Sequence, residues 1–405
     1  MPVPFIRQDI KVQVIDDGPP HSEIAAKSAG VHIPGVVPMI PARQCRETQF
    51  AGLCKRLFVD RVRSLPGYNP NDVGLHYRMA SFAARFARHF FRTLPYDTDL
   101  SVARYLVSSN YTAARREELF ALYSRTGTLV ESPDRDNIME QSDVWHRAKA
   151  FTKAEFYTSS AFKNARSICP VDERVKFFVA PYVHALEEEV FALPACVKHV
   201  PGSERDAHVL EQCAGLRVLY SGSDWESMET HHERWRVSAV IFPVYYWVLH
   251  NLPDFWMFYG FRVRDLLSPI VMKRGSMRIT LLEYILASGK QWTSVDNALL
   301  NMITYWFLMH EVHGVDVFQY DAGGKRPRTH ADVIAAIAPT SLESYVPLHS
   351  LPAEVKTALR PIPGNVEGDD ALQVGEHVLS RAHYAAIGAS VEPVVQQEVD
   401  GGDFL

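Results

Sequence analysis

Cysteine is scarce in this chain, with five in 405 residues. Cys45, Cys54, Cys169, Cys196 and Cys213 form an odd set without a Cys-x-x-Cys pair. They suggest neither a disulfide framework nor a zinc knuckle, and a reducing compartment is the simplest setting. Long apolar runs are also missing. The greasiest stretch, VSAVIFPVYYWVLHNLPDFWMFYGF at 237–261, is broken by Pro243, His250, Asn251, Pro253 and Asp254. A membrane span needs roughly 20 nearly uninterrupted apolar residues, so no transmembrane segment is expected and the stretch reads as buried helix. MPVPFIRQDI has no apolar core, so no signal peptide is expected. Nor is there an excess of positive charge. Lys and Arg number 42 against 47 Asp and Glu, a net charge of −5, so any nucleic-acid contact must come from local basic patches. No internal repeat or low-complexity tract occurs.

What the chain does have is enough length for two or three subdomains and an ordinary globular balance, 47% apolar and 22% charged. Residues 1–45 are rich in Pro and Gly with β-like runs (KVQVI, VHIPGVV) and read as an extended arm packed on something else. A helical pattern begins with FAGLCKRLFVDRV. MASFAARFARHFFR sets Arg85, Arg88 and Arg92 on one helix face and Phe82, Phe86 and Phe90 on another. Such a face is either solvated over a core stripe or a contact for an RNA backbone. Residues 147–176 carry seven Lys or Arg against three acids. A helix is expected at VAPYVHALEEEVFAL, a strand at LRVLYSGSD, a long helix at TSVDNALLNMITYWFLMHEVH, then a helix around GEHVLSRAHYAAIG and a strand at SVEPVV.

Three patterns invite over-reading. MHEVHG spaces His310 and His313 at i and i+3, whereas a zincin needs i and i+4. AGGKRPR lacks the first glycine and the Ser/Thr of a P-loop. His231–His232 reads as a solvated helix start.

The chemistry gathers in three other segments. PGNVEGDDALQV sets the adjacent carboxylates Asp369 and Asp370 in a Gly-bounded turn, a repulsive arrangement unless solvated or shared with a cation. SGSDWESMETHH ends a β-like run on Asp224, with Glu229 five residues on. ASGKQWTSVDNALLN has Ser288-Gly289, then Thr293, Asn297 and Asn301 at helical spacing on one face. Buried, that polar face needs partners. If two strand ends lie side by side, Asp224, Asp369 and Asp370 could meet around two Mg2+ ions.

The order D-x4-acid, then SG-x3-T-x3-N-x3-N, then GDD resembles the palm signature of the RNA-dependent RNA polymerases of positive-strand RNA viruses. A lone GDD is weak; the ordered set is specific. FTKAEFY followed by KNARSICP, with Lys153, Glu155, Lys163 and Arg166, resembles the basic finger motif of tombusvirus-like polymerases. VKHVPGSER, with Lys198 and Gly202, resembles the segment before their first palm strand. The resemblance covers about residue 150 to the end. It implies an α+β fold: a right-hand palm with a small antiparallel sheet, plus largely helical fingers. It divides the chain into an N-terminal arm or fingertip (1–45), fingers (46–209), palm (210–235), a fingers insertion (236–275) and palm again (276–405).

By that resemblance Asp224, Asp369 and Asp370 are the catalytic, metal-holding carboxylates, with Mg2+, or Mn2+ in its place, as cofactor. Glu229 and Asn297 read the 2′-hydroxyl of the incoming nucleotide, helped by Thr293. Ser288 and Gly289 form a pliable loop beside the template. Lys153, Lys163 and Arg166 belong to the nucleotide site, with Lys163 and Arg166 on the triphosphate. The implied partners are RNA template and product, NTPs and other viral replication proteins. The implied location is the host cytoplasm, at membrane-associated complexes reached through partners.

Four departures stand out. Glu229 occupies a position where many relatives carry Asp. An insertion is expected near 314–360. No Lys follows the acidic turn, where Arg381 or His383 could substitute. VDGGDFL resembles the start of a primer-gripping hairpin, so the thumb is expected to be missing. Two other functions compete: a polymerase-like RNA-binding module without turnover, and a reverse transcriptase, which Glu229 and Asn297 disfavour.

Overall fold

The computed structural model describes residues 10–14, 40–41, 62–127, 147–149, 151–152, 156–157, 167–213, 219–274, 277–321, 360–361, 364–375 and 377–396. In chain order its principal elements are strand β1 (Ile10–Val14), helices α1 (Val73–Phe90), α2 (Val102–Ser108) and α3 (Ala113–Thr126), and strand β2 (Arg147–Lys149). Helices α4 (Glu173–Val190) and α5 (Arg205–Cys213), strand β3 (Leu219–Trp225) and helices α6 (Phe242–Leu249) and α7 (Phe255–Leu267) follow. The remainder is strands β4 (Ile270–Arg274) and β5 (Met277–Leu281), helix α8 (Thr293–His313), strands β6 (Asn365–Glu367) and β7 (Asp370–Gly375), helix α9 (Arg381–Ala386) and strand β8 (Val391–Gln396). The described chain is therefore mixed helix and sheet, of the α+β kind.

Its central sheet has the order β6-β7-β3-β8, every neighbouring pair antiparallel. Taken along the chain, β3-α8-β6-β7-α9-β8 is a β-α-β-β-α-β unit, with α6, α7, β4 and β5 inserted before α8. Side chains alternate as a one-sided sheet requires. Ser221, Ser223, Trp225, Ala371, Gln373 and Val391 are buried, while Asp224, Glu392 and Val394 are exposed; Leu372, on the opposite face, is buried as well. Helices α8 and α9 pack beneath the buried face. Gln373 bonds the Tyr384 hydroxyl of α9 at 3.0 Å, and Trp225 reaches α8. The outer edge of β6 is covered by residues 195–197, with Val366 N–H donating to Ala195 O at 2.6 Å and Val197 N–H to Val366 O at 3.2 Å. A second sheet, β1-β5-β4-β2, joins the N-terminal arm to the β4–β5 hairpin.

Helix α8 spans the bounds that the sequence pattern predicts. Its side chains from Ala298 to Met309 are buried without a break, as befits a helix inside a bundle. It stops where Gly314, at φ +68°, caps it with its N–H on His310 O. Helix α1 starts on Asp72, whose carboxylate accepts from Leu75 N–H at 3.0 Å. Phe82, Phe86 and Phe90 are buried as expected. On the basic face, Arg92 pairs with buried Glu189 at 3.1 Å, while Arg85 pairs with Asp316 at 3.9 Å and lies over the Phe318 ring. Two of the three arginines thus pair with the protein's own acids, and Arg88 Nε donates to Ala84 O at 3.2 Å. The apolar stretch is buried helix, beginning with Arg234–Arg236, a π turn Val237–Ile241 and α6 in continuous succession. Among the described residues no helix is long and apolar enough to cross a membrane.

Two expectations are corrected. His231 and His232 are not solvated; both are 0% exposed, because Ser227, in the left-handed region at φ 60°, turns the chain inward beneath the sheet. The helix after the acidic turn begins only at Arg381. Strand β7 runs on to Gly375, and a capping box fixes the helix start: the Ser380 side chain accepts from His383 N–H, and the His383 ring accepts from Ser380 N–H. The helix expected at 50–62 lies outside the described residues except for Val62, as does most of the 314–360 insertion.

Candidate active site

Strand β3 delivers Asp224 next to its C-terminal end, and the β6–β7 hairpin delivers the acidic turn. The β7–β3 register pairs Ala371 with Ser223. One step further along this antiparallel ladder sets Asp370 level with Asp224. On the other side, β8 pairs Glu392 directly with Asp224. Residues directly opposite on neighbouring strands share a face, so three carboxylates from three strands form one row on the exposed face. Like charges in that relation destabilise a sheet, and Glu392 is offset by Arg381 of α9 at 3.3 Å. Asp369, exposed, sits in the turn between β6 and β7.

A single side chain ties the two acidic segments to the helix beneath. Asn301, 1% exposed on α8, accepts from the Trp225 indole Nε1–H at 3.1 Å. Its amide donates to Asp369 O at 3.0 Å and to Gly368 O at 3.3 Å. One amide thus spans the residue after Asp224 and the backbone of the acidic turn. Glu367, at the turn's entry, pairs with Arg205 at 2.9 Å and with Lys198 at 3.9 Å. This links the VKHVPGSER segment to the same hairpin.

After Asp224 the chain makes a tight turn whose hub is Ser227 O. It accepts from Thr230 N–H, from Thr230 Oγ1 and from His231 Nδ1 at 3.0, 2.9 and 3.2 Å. His231 Nε2 in turn accepts from Ser390 N–H at 3.0 Å, so the ring is neutral with its proton on Nδ1. Glu229 lies in this turn, half-buried, and its backbone carbonyl receives Leu286 N–H at 3.0 Å. The turn therefore abuts the loop that leads to Ser288. Asn297, half-buried on α8, meets His232 Nε2 at 2.9 Å through its Oδ1. Thr293 is spent on the helix start, its hydroxyl donating to Lys290 O at 2.8 Å.

The Ser288–Gly289 loop is fastened at two points to residues 168–169. Ser288 O accepts from Cys169 N–H at 2.6 Å. Gly289 has φ +98°, and a Cβ there would lie 2.6 Å from Ile168 Cγ2. Only glycine suits that backbone and that approach. Below the loop runs a buried ionic chain: Lys290 to Asp265 at 2.8 Å, Asp265 to Arg262 at 3.5 Å, and Arg262 to Asp296 at 2.8 Å, with Tyr245 donating to Asp296 at 2.7 Å. Burial pushes the Asp296 carboxyl up to about 6 against the pull of Arg262 and Tyr245. The chain fastens α7 to the start of α8.

The structure thus brings Asp224, Asp369 and Asp370 to one edge of the sheet, with Glu229, Asn297, Ser288 and Gly289 on adjoining segments. Lys153, Lys163 and Arg166 lie outside the described residues. Carboxylate oxygens are the hard donors that Mg2+ or Mn2+ takes, and a cation would relieve the cross-strand repulsion, so the donor chemistry fits. Among the described residues, however, no three His, Cys, Asp or Glu side chains are gathered closely enough to hold an ion as they stand. Sequence reasoning missed the bridging role of Asn301, although its four-residue spacing from Asn297 marked it. It also missed His231, His232 and Ser390, for which no local signal exists.

No protein-family model matches the chain, and no significantly similar curated protein is found.

Proposed function

We propose that this chain is the palm and fingers of an RNA-dependent RNA polymerase from a positive-strand RNA virus. The observation that carries the reading is Asn301. The residue closing the Ser-Gly, Thr, Asn, Asn series bonds both the Gly-Asp-Asp turn and the residue after Asp224. Three motifs in the order of that family are thus also one physical unit. In this reading the palm comprises 210–235 and 276–405, the fingers 46–209 and 236–275, and residues 1–45 form the arm.

Asp224 and Asp369, with Asp370 beside them, would hold Mg2+ or Mn2+. When bound, that cofactor would supply positive charge for nucleotidyl transfer. The protein's own part is positioning. Asn301 and the Glu367–Arg205 pair hold the acidic turn, Glu229 and Asn297 meet the ribose, and Ser288–Gly289 borders the base pair. Lys153, Lys163 and Arg166 would meet the phosphates, as the resemblance implies. Template and product RNA are held mainly through phosphates and sugars, NTPs are the substrates, and replication proteins of the same virus would recruit the chain to membrane-associated complexes in the host cytoplasm.

The test is primer extension on an RNA template with NTPs and Mg2+. Template-directed incorporation that Asp369→Asn abolishes is expected. RNA binding without incorporation would identify a polymerase-like binding module instead, and equal use of dNTPs and NTPs would point to a reverse transcriptase.

A further inference from the structure

His232 is wholly buried three residues past Glu229, and its Nε2 lies 2.9 Å from Asn297 Oδ1. Two proton placements could make this contact. With the proton on Nε2, the imidazole donates to the Asn297 carbonyl oxygen and Nδ1 is a bare lone pair. With the proton on Nδ1, Asn297 must turn its amide nitrogen toward Nε2, and the Nδ1–H is stranded. Nδ1 is buried and meets no hydrogen-bond partner. An unpaired buried Nδ1 costs about 1–3 kcal/mol in either form, so the partner of Nε2 decides: the atom facing it at 2.9 Å is Asn297 Oδ1, which can only accept. The Nε2–H form is therefore favoured. A doubly protonated ring is excluded near neutrality: burial pushes the pKa down to about 3, against the Asn297 hydrogen bond and with help from Arg236 and Arg262.

The orientation of Asn297 follows. Its Oδ1 is occupied by His232, and among the described residues nothing accepts from its Nδ2. The side chain is half-buried, on the stretch of α8 that faces the Glu229 turn.

We propose that His232 is a positioning residue for sugar selection: by donating Nε2–H to Asn297 Oδ1, it locks the amide so that Asn297 offers an N–H donor, not a carbonyl acceptor, to the 2′-oxygen of the incoming nucleotide. This rests on the polymerase reading. The orientation of Asn297 is then held by a buried neutral imidazole supplied from the turn after Asp224.

Two measurements on the full chain test it. In histidine-selective 15N spectra, with the His232 signal assigned by its loss in His232→Gln, the ring stays neutral with the proton on Nε2 between about pH 5 and pH 8. A proton on Nδ1, or titration within that range, overturns the proposal. In single-nucleotide incorporation, His232→Gln keeps a donor at the same place and retains wild-type NTP/dNTP preference. His232→Phe, which has none, loses about tenfold in that preference, the worth of one hydrogen bond, with RNA binding unchanged. Unchanged preference in a folded His232→Phe, or equal loss in both variants, overturns it. If His232→Phe fails to fold, the spectra and the His232→Gln preference decide. Absence of any incorporation by the wild-type chain overturns the polymerase reading and this role with it, whereas a wrong tautomer in an active enzyme overturns only this role.

Discussion

Asn301 donates its amide N–H to the backbone carbonyl of Asp369 at 3.0 Å, across 68 residues of sequence. The same side chain accepts from Trp225, so strand β3, helix α8 and the acidic turn share one buried amide. An amide with every polar atom engaged is costly to remove, because it leaves the buried Trp225 indole N–H unpaired and releases the two turn carbonyls.

Asn301→Leu is therefore expected to destabilise the fold by about 2–4 kcal/mol. Urea denaturation of both proteins measures this. A loss below about 1 kcal/mol would mean that the bridge does not hold the turn. Substitution at Asn297 should change nucleotide choice, since its Nδ2 meets nothing in the described fold, and should also cost stability by stranding the buried His232 Nε2–H.

Asp224→Asn separates stability from chemistry. Asp224 is exposed, level with Asp370 and directly paired with Glu392. Asp224 has contacts of its own besides the like charges beside it, so without divalent ions the exposed substitution should stay within about 0.5 kcal/mol. Nucleotide incorporation should fall by about a hundredfold or more. Melting curves with and without Mg2+, beside primer extension, give both answers; retained incorporation would remove Asp224 from the site.

Gly289→Ala should cost about 1–3 kcal/mol, from the positive φ and the approach to Ile168. Gly202→Ala is the control. Nothing lies within 4 Å of a Cβ there and its φ is ordinary, so the change should stay within about 0.5 kcal/mol. Equal melting temperatures for the two variants would show that the Ser288–Gly289 loop is not fastened to residues 168–169.

Glu187 on α4 supplies a pH dependence. Burial, opposed by Lys198 and reinforced by Asp296, pushes its carboxyl from an ordinary value of 4.5 up to about 7. The folded state holds this proton more tightly than the unfolded chain. Its contribution is therefore complete below about pH 4.5 and is lost as pH rises through about 7. Glu187→Gln should match wild type near pH 4 and be the more stable protein at pH 8. Thermal unfolding at both pH values checks this, and parallel curves for the two proteins would refute it.

Much of the local structure was legible in the residues. The apolar spacing bounds α8 at the predicted ends, and LRVLYSGSD and SVEPVV hold the expected strands β3 and β8, which the fold then pairs. Misreadings came where local pattern and tertiary setting diverge. His231–His232 has the composition of a surface turn, yet a left-handed Ser227 and two distant partners, Ser390 and Asn297, make it core. For the arginines of α1 the spacing left a solvated face and a nucleic-acid face both open; the fold adds Glu189 and Asp316, which come from elsewhere in the chain to meet two of them.

The amino-acid order alone decided which residues carry charge in a turn, which helix faces are polar, and in what sequence the acidic, Ser-Gly and Gly-Asp-Asp segments occur. These are properties of neighbours along the chain, set by backbone preference and side-chain periodicity. Only the folded chain decided that Asp370 comes level with Asp224, that Asn301 joins their segments, and that His232 turns Asn297. Strand register and buried hydrogen bonds spanning 65 to 76 residues arise when the whole core closes, and no local stretch encodes them.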